Sequence, residues 1–561
     1  MARGRLKYIA QNILGAGSVT EQASQRWRLR LIQIALLFTV VGILIRFVDL
    51  AFTSKEQIPA VLQIKEEFSI RRKDIVDRNG ALLATNIPSA SLYAHPQKII
   101  NCKETASQLA NVLGGVSLVI EIKLCSKQSF IWLKRHVTPQ EQQAVHNLGI
   151  PGLYFSPDER RFYPQGNLFS HIIGYVDIDS NGIAGLERSY NEDVQSKIIT
   201  TTLDVNVQDV VREELQSSID THKASGGSGI VMNANTGEIV AMVSLPDFDP
   251  HHLIDKNATN MFNKATLGVQ EMGSVFKVFT VAMALDSNKV TLNDSFDVSK
   301  PVKIGRFTIH DYKGKGGNLL VHEILMYSSN LGALQIAKRV GVIEQKEYFK
   351  KLGFFSQVEM DLPEIGKPIY PQRQWNEANL MTASYGHGIA VSPLHVVQAM
   401  SAVVNGGLLS VPVLVKSGKD GRRNVDQNVD HKSRKRIFKA QTSEIMKKLL
   451  RLTVKEGRVR KANIEEYLVG GKTGTPELLV NGKYSHKLNT AVFVGAFPID
   501  KPEYVVFVAV EDPKPNEING GYATGGMIAA PLGGAIIRRV GPLLGLPHQN
   551  PRVQESSSGV E

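Results

Sequence analysis

The sequence predicts an α+β protein: an N-terminal transmembrane helix, an elongated sheet-rich module, and a larger domain in which helices flank an antiparallel sheet. Three observations carry that prediction. An uncharged run, LIQIALLFTVVGILI, stretches from Leu31 to Ile45. Residues 53–215 alternate short strand-like and helical stretches with turn signals. From about residue 225 a strand–turn–strand pattern leads into an apolar helix, and three strand-like runs return near the end. At 561 residues the chain exceeds one hydrophobic core, so two or more domains are expected.

The apolar run is shorter than the roughly 20 residues a spanning helix needs. Continuing through Arg46 and Asp49 to Phe52 reaches that length, with Arg46 snorkelling near one end. A buried soluble helix and a secretory signal peptide are the alternatives. No small-residue cleavage site follows, which favours an uncleaved anchor. Arg3, Arg5, Lys7, Arg26, Arg28 and Arg30 precede it against Glu21 alone. The positive-inside rule then leaves the N-terminus in the cytoplasm and everything after residue 52 outside.

The net charge of +12 points either to nucleic acid or to an anionic surface. The sequence shows no zinc-finger spacing, RRM-like aromatic motif or Walker loop, so a nucleic-acid partner is not expected. Cys102 and Cys125 fit neither a metal site nor a disulfide scaffold. They can bridge if that region is exported, and the sequence leaves this open.

In the sheet-rich module, Asn79-Gly80 within DIVDRNGALLA is a strong hairpin dipeptide. TTLDVNVQDVVREELQSSID, 201–220, begins as a strand and becomes an amphipathic helix. GSGIVMNANTGEIVAMVSLPDFDP, 227–250, reads as strand, Asn235-Thr236-Gly237 turn, strand. A helix from about 274 to 286 follows. EYLVGGKTGT (466–475), LNTAVFVGAFPI (488–499) and EYVVFVAVED (503–512) read as three successive antiparallel strands. Residues 417–436 read as a charged surface loop by composition, and the tail QNPRVQESSSGVE is expected to be disordered.

The chemistry centres on EMGSVFKVFT, 271–280. Ser274 and Lys277 share a helix face three residues apart. A bland reading makes Ser274 a helix cap and Lys277 a surface lysine with a buried stem. The sharper reading makes Ser274 a nucleophile and Lys277 its base. Serine needs a base within hydrogen-bond reach, and lysine acts as one only when burial or a nearby cation lowers its pKa. Val275, Phe276, Val278 and Phe279 supply an apolar setting, and Gly273 lets a substrate approach closely. Ser274–Lys277 is the only S-x-x-K in the chain. Ser328 and Asn330 follow in MYSSNLGALQIA, and Lys472-Thr473-Gly474-Thr475 ends a strand-like run. Ser189-Tyr190-Asn191 and Lys416-Ser417-Gly418 are decoys for these patterns, misplaced in order or context. S-x-x-K, S-x-N and K-T-G in that order are the signature of penicillin-binding proteins and class A β-lactamases.

On these motifs the chain resembles a class B penicillin-binding protein, and within that family the septal, FtsI-type peptidoglycan D,D-transpeptidase. RRKDIVDRNGALLATN is similar to a pedestal segment of the family, with Lys73 where glycine is usual. RFYPQGNLFSHIIGYVD and GLERSYN resemble its other pedestal motifs. EMGSVFKVFT resembles the active-site helix, with Met272 where proline is common. SSNLGALQIA looks like the septal subgroup, since the elongation subgroup usually carries aspartate in place of Asn330. SYGHGIAVSPLHVVQA (384–399) and GGYATGGMIAAP (520–531) complete the likeness.

The resemblance implies a cytoplasmic segment 1–30, an anchor 31–52, a non-catalytic pedestal 53–220, a transpeptidase domain 221–545 with a five-stranded antiparallel sheet, and a disordered tail 546–561. It implies that Ser274 attacks the bond between the terminal D-alanines of a peptidoglycan stem peptide and is acylated, and that β-lactams trap it. Lys277 would take the serine proton, Ser328 would relay one to the leaving amine, and Asn330 would orient Lys277. Lys472 would add positive field. Thr473 and Thr475, with Gly474 between them, would bind the substrate carboxylate, and the Ser274 and Thr475 N–H groups would form the oxyanion hole. No metal or organic cofactor is expected. With no glycosyltransferase domain ahead of the pedestal, a SEDS-type polymerase and other division-site membrane proteins are the expected partners at the inner membrane, the catalytic domain lying in the periplasm. Rival readings are the elongation transpeptidase, a D,D-carboxypeptidase, a β-lactamase, a β-lactam sensor and a silent division scaffold.

Overall fold

The computed structural model describes residues 32–48, 72–191, 198–253, 259–305, 307–372, 375–416, 435–480 and 483–548. The segment 1–30 expected to be cytoplasmic, most of the expected charged loop and nearly all of the expected tail lie outside these. The chain divides into two compact units, Met1–Arg71 and Arg72–Glu561. In the first, residues 32–48 form an exposed helix. Among the described residues no helix is long and apolar enough to cross a membrane, so the expected 31–52 anchor is represented here only by residues 32–48. Leu31 and residues 49–52, which would extend it, lie outside the described residues.

Among its described residues the second unit holds two large sheets, besides two small two-stranded ones. The first contains β1 (Asp74–Val76), β2 (Leu82–Ala94), β3 (Ile131–Val137), β4 (Leu153–Phe162) and β5 (Ile198–Thr200). Its order is β3-β2-β1-β5, with β4 also on β2. The expected hairpin between β1 and β2 is present, and Gly80 takes φ +88°, a conformation open to glycine. This region is more helical than its sequence suggested. Helices α1 (Cys102–Leu113), α2 (Ser117–Leu124) and α3 (Pro139–Asn147) cover one face, burying Leu92, Ala94, Leu109, Leu124, Val137 and Val145. A Cys102–Cys125 disulfide, Cα–Cα 5.5 Å, ties α1 to the end of α2.

Helix α4 (Val205–His222) is amphipathic as expected, with Asp204 capping the N–H groups of Asn206 and Val207. It closes the stretch expected as pedestal, yet it packs on the second sheet. That sheet runs β8-β10-β11-β6-β7, from β6 (Gly226–Asn233), β7 (Ile239–Leu245), β8 (Gly470–Gly474), β10 (Lys483–Phe497) and β11 (Tyr504–Glu511). All neighbours on this five-strand path are antiparallel. A sixth strand, β9 (Glu477–Val480), pairs with the start of β10. It goes beyond the expected five, and β10 starts at 483 rather than 488.

Strands such as β11 read as unbroken apolar runs because both faces are covered. Ile230, Met232, Val494 and Phe507 pack into one core with helix α5 (Phe276–Asp286) and helix α7 (Pro393–Val404). Val231, Phe493, Val506 and Val508 pack on the other face with α4 and helix α9 (Ala529–Leu543). Every residue of α5 is buried, which explains its lack of a polar face.

Segment Asp77-Arg78-Asn79-Gly80 joins the two sheets. Asp77 Oδ1 accepts from the N–H groups of Asn79 and Ala81, both at 2.8 Å. Arg78 pairs with Glu238 in the β6–β7 turn, and Asn79 Nδ2 donates to Asp204 Oδ2 at 2.9 Å. A hairpin signal in the sequence is therefore also a joint.

Candidate active site

Ser274 lies in a single 3-10 turn, Gly273–Val275, that leads directly into α5. Gly273 takes φ +52°, so a backbone requirement fixes glycine here. That reason differs from the substrate approach expected of it. One helical turn on, Lys277 is fully buried. Its Nζ lies 2.8 Å from Ser274 Oγ, 2.7 Å from the Ser328 carbonyl oxygen, 3.2 Å from Ser328 Oγ and 2.7 Å from Asn330 Oδ1. A surface lysine is excluded.

Ser328 and Asn330 reach Lys277 through a break between two helices. Helix α6 (Val321–Tyr327) ends at Ser328 in the left-handed conformation, φ +60°. The next helix, Asn330–Val340, starts two residues later, capped by Ser329 Oγ accepting from Gly332 N. Asp311 holds this junction. Its Oδ1 accepts from the N–H groups of Asn330 at 2.5 Å and Leu331 at 3.0 Å, and its Oδ2 from Ser329 Oγ at 2.6 Å. Asn330 Nδ2 donates to the His310 carbonyl at 3.1 Å, which fixes Oδ1 toward Lys277.

The third motif arrives on β8, the edge strand. Lys472 is buried and its Nζ donates to Ser328 Oγ and to the Thr473 carbonyl, both at 3.0 Å. Thr473 and Thr475 alternate to the other side of the strand. Thr475 Oγ1 accepts from Gly525 N at 3.0 Å. Gly474 fits between strand and nucleophile turn, since a Cβ there would lie 2.4 Å from the Met272 carbonyl oxygen. All three motifs thus converge, and Ser274, Lys277, Ser328, Asn330 and Lys472 form one connected polar cluster. The Ser189–Asn191 decoy does not join it, and Ser417 and Gly418 of the other lie outside the described residues. Ser189 Oγ donates to the Asp361 carbonyl at 2.5 Å, and Asn191 Oδ1 accepts from Arg72 at 2.7 Å.

Burial drives the electrostatics. It holds the Lys277 pKa well below the usual lysine value, with Lys472 lowering it further, Asp311 opposing and Arg458 adding. Burial, then Arg458, brings Lys472 down to about 7. Arg458 donates to the carbonyls of Tyr312 at 2.9 Å and Lys313 at 2.6 Å, which sets it beside Asp311. Neither Asp311 nor Arg458 was evident in the sequence, where each is one of several charges in an irregular stretch. Glu271 was also missed. Its Oε1 accepts from Gly388 N and Tyr484 Oη, both at 2.8 Å.

Residues 227–538 match the penicillin binding protein transpeptidase domain, and residues 69–231 match the penicillin-binding protein dimerisation domain. The chain is 34% identical over 502 residues to the probable peptidoglycan D,D-transpeptidase FtsI of Caulobacter vibrioides, covering 87% of this chain and 84% of that one. It is 31% identical over 522 residues to stage V sporulation protein D of Bacillus subtilis, covering 86% and 80%. A solved structure of penicillin binding protein 3 from Mycobacterium tuberculosis, complexed with aztreonam, shares the fold. Its TM-score is 0.67 at 23% identity, over 86% of this chain and 98% of that chain. An antiparallel sheet between helical layers, with S-x-x-K, S-x-N and K-T-G side chains meeting at its edge, defines the penicillin-binding transpeptidase class. The chain belongs to the class B penicillin-binding proteins, the family of the FtsI-type peptidoglycan D,D-transpeptidases.

Proposed function

We propose that this chain is a serine-type D,D-transpeptidase that cross-links peptidoglycan stem peptides at the division septum through an acyl-enzyme on Ser274. The observation that carries the reading is the environment of Lys277. A neutral lysine has two N–H groups and one lone pair. The Ser328 carbonyl and Asn330 Oδ1, both at 2.7 Å, accept the two N–H groups. The lone pair is then left for the Ser274 hydroxyl at 2.8 Å. Lys277 takes the serine proton as Oγ attacks the carbonyl between the terminal D-alanines. Ser328 Oγ, within hydrogen-bond reach of both lysines, passes a proton to the departing D-alanine amine. The backbone N–H groups of Ser274 and Thr475 stabilise the oxyanion, and Thr473 and Thr475, flanking Gly474, hold the terminal carboxylate. β-Lactams mimic the donor and acylate the same serine.

The septal assignment draws support from the asparagine at position 330 and from the FtsI relatives. Residues 53–220 serve as a non-catalytic pedestal and 221–545 carry the chemistry. Residues 31–52 anchor the chain in the inner membrane beside a SEDS-type glycosyltransferase and other division proteins, the catalytic domain lying in the periplasm.

Fluorescent penicillin labelling tests the chemistry. Wild type labels at Ser274, and Ser274→Ala does not. Lys277→Arg roughly keeps the length but places a fixed positive charge there and cannot act as a base, because a guanidinium stays protonated at any working pH. General-base contributions run about 10²–10⁴-fold, so Lys277→Arg slows labelling at least about a hundredfold. Labelling within about threefold of wild type removes the base role.

A further inference from the structure

We propose that Glu271, His387 and Tyr484 form the subsite for the acceptor amine, the second substrate of the cross-linking reaction. The inference rests on the acyl-enzyme reading above.

Glu271 lies three residues before Ser274 and is only 7% exposed. While its Oε1 is fully engaged by Gly388 N and Tyr484 Oη, its Oε2 is buried and accepts no hydrogen bond. A buried carboxylate oxygen without a donor is costly, so its retention beside a nucleophile points to a ligand or proton it receives during the reaction. His387 Nδ1 lies 3.4 Å from this oxygen. His387 is held in place by the backbone itself. A Cβ on Gly386, which takes φ +83°, would lie 2.1 Å from the Gly273 carbonyl oxygen, so residues 385–388 rest directly on the turn that carries Ser274. The His387 ring lies between Tyr385 and Tyr484, with ring centroids 5.2 and 5.6 Å away, and is one-third exposed. With Nδ1 toward Glu271, Nε2 points away from the carboxylate.

The polar groups around Ser274 therefore separate by charge. Lys277 and Lys472 meet at Ser328 Oγ, with Arg458 adding to their field. Glu271, His387 and Tyr484 touch one another, and Glu477 adds a second carboxylate to the field at His387. The two substrates divide in the same way. The donor peptide ends in a carboxylate, whereas the acceptor presents an amine that is an ammonium in water. Burial lowers the His387 pKa, opposed by Glu271 and Glu477 and assisted by Lys277, so the imidazole is neutral and able to accept a proton.

The step balances as follows. The acceptor ammonium gives one proton to His387 Nε2, and the Nδ1–H faces Glu271 Oε2. The free amine attacks the Ser274 ester carbonyl, forming the C–N bond, and the C–O bond to Ser274 breaks. A second amine proton passes through Lys277 to Ser274 Oγ, and His387 releases its proton to water. Ester and ammonium become amide, free serine and one proton.

The test uses the full chain in detergent, acylated by a thioester donor that mimics the D-Ala-D-Ala end, with D-alanine as the amine probe. The readout is the ratio of aminolysis to hydrolysis from the same acyl-enzyme, which slower acylation does not move. Glu271→Gln, His387→Gln and Tyr484→Phe should each lower that ratio, the first two by at least about tenfold, given the usual size of general-base effects. Ratios within twofold of wild type for Glu271→Gln and His387→Gln overturn the subsite. If Glu271→Gln does not fold, His387→Gln decides, with Tyr484→Phe as the milder change, since it removes one hydroxyl from a part-exposed ring. Failure of the unaltered chain to acylate at Ser274 overturns the acyl-enzyme reading instead.

Discussion

At the scale of single residues, two buried lysines share one hydroxyl, and no carboxylate contacts either of them directly among the described residues. Such an arrangement costs stability and is retained for function. The cost depends on pH in a definite sense. The folded Lys472 titrates at about 7, whereas an unfolded lysine titrates near 10.4. Between those values the unfolded chain holds a proton that the folded chain lacks, so stability rises with pH across the window. Below about 7 the folded state carries the full penalty of a buried charge. Lys472→Met should therefore raise Tm at pH 6.5 and lose penicillin acylation, and its Tm advantage should shrink toward pH 10. An advantage that stays constant from pH 6.5 to pH 10 would show that charge burial is not what Lys472 costs. The cluster around these lysines was largely legible in the sequence, because S-x-x-K fixes two side chains on one helix turn and the later motifs have distinctive composition. Asp311, Arg458 and Glu271 were not, because each acts through an approach between distant segments that leaves no local periodicity.

At the scale of elements, the strands of the second sheet were readable because apolar runs covered on both faces have few other interpretations. Strand β9 escaped notice although its signal exists: Asn481-Gly482 lies between Val480 and Lys483, which pair across a two-residue connection. The helices of the first sheet were harder to see, since short amphipathic segments such as α3 bury only one or two side chains. What the sequence could not show is the polar lock at the base of that sheet. Glu187 is 1% exposed and takes both Arg72, whose Nε is 2.8 Å from Oε2, and Arg161, whose Nε is 2.6 Å from Oε1. The same guanidiniums reach the Ser180, Glu187 and Lys73 carbonyls and the Asn86 and Asn191 side chains. Removing one partner from such a group leaves buried charge uncompensated, a loss of about 3–5 kcal/mol. Glu187→Ala should thus lower the opening free energy of β1 and β4 by that amount in hydrogen exchange, while β10 and β11 hold their protection. Uniform loss across both sheets would make Glu187 a determinant of the whole unit rather than of one sheet.

At the scale of the whole molecule, the reading that remains to be tested is topology. The peptidoglycan substrate lies outside the inner membrane, so the proposed activity requires residues after 52 to be exported. Arg3, Arg5, Lys7, Arg26, Arg28 and Arg30 face one acidic residue, Glu21, before the apolar run. An excess of cations on the short leading segment retains that side in the cytoplasm. The Cys102–Cys125 disulfide agrees with export, because such bonds persist in oxidising compartments and are rare in the cytosol. The described helix 32–48 is short for a span, and it carries a charged residue, Arg46, near its C-terminal end. Both facts bear on one experiment. A reporter active only in the periplasm, fused after residue 60, should be active, and the same reporter fused before residue 30 should be silent. Replacing four of the six leading arginines and lysines with glutamine should reduce the first signal if those cations set the orientation. Activity from the early fusion with silence from the late one would reverse the topology and leave Ser274 on the wrong side of the membrane from its substrate.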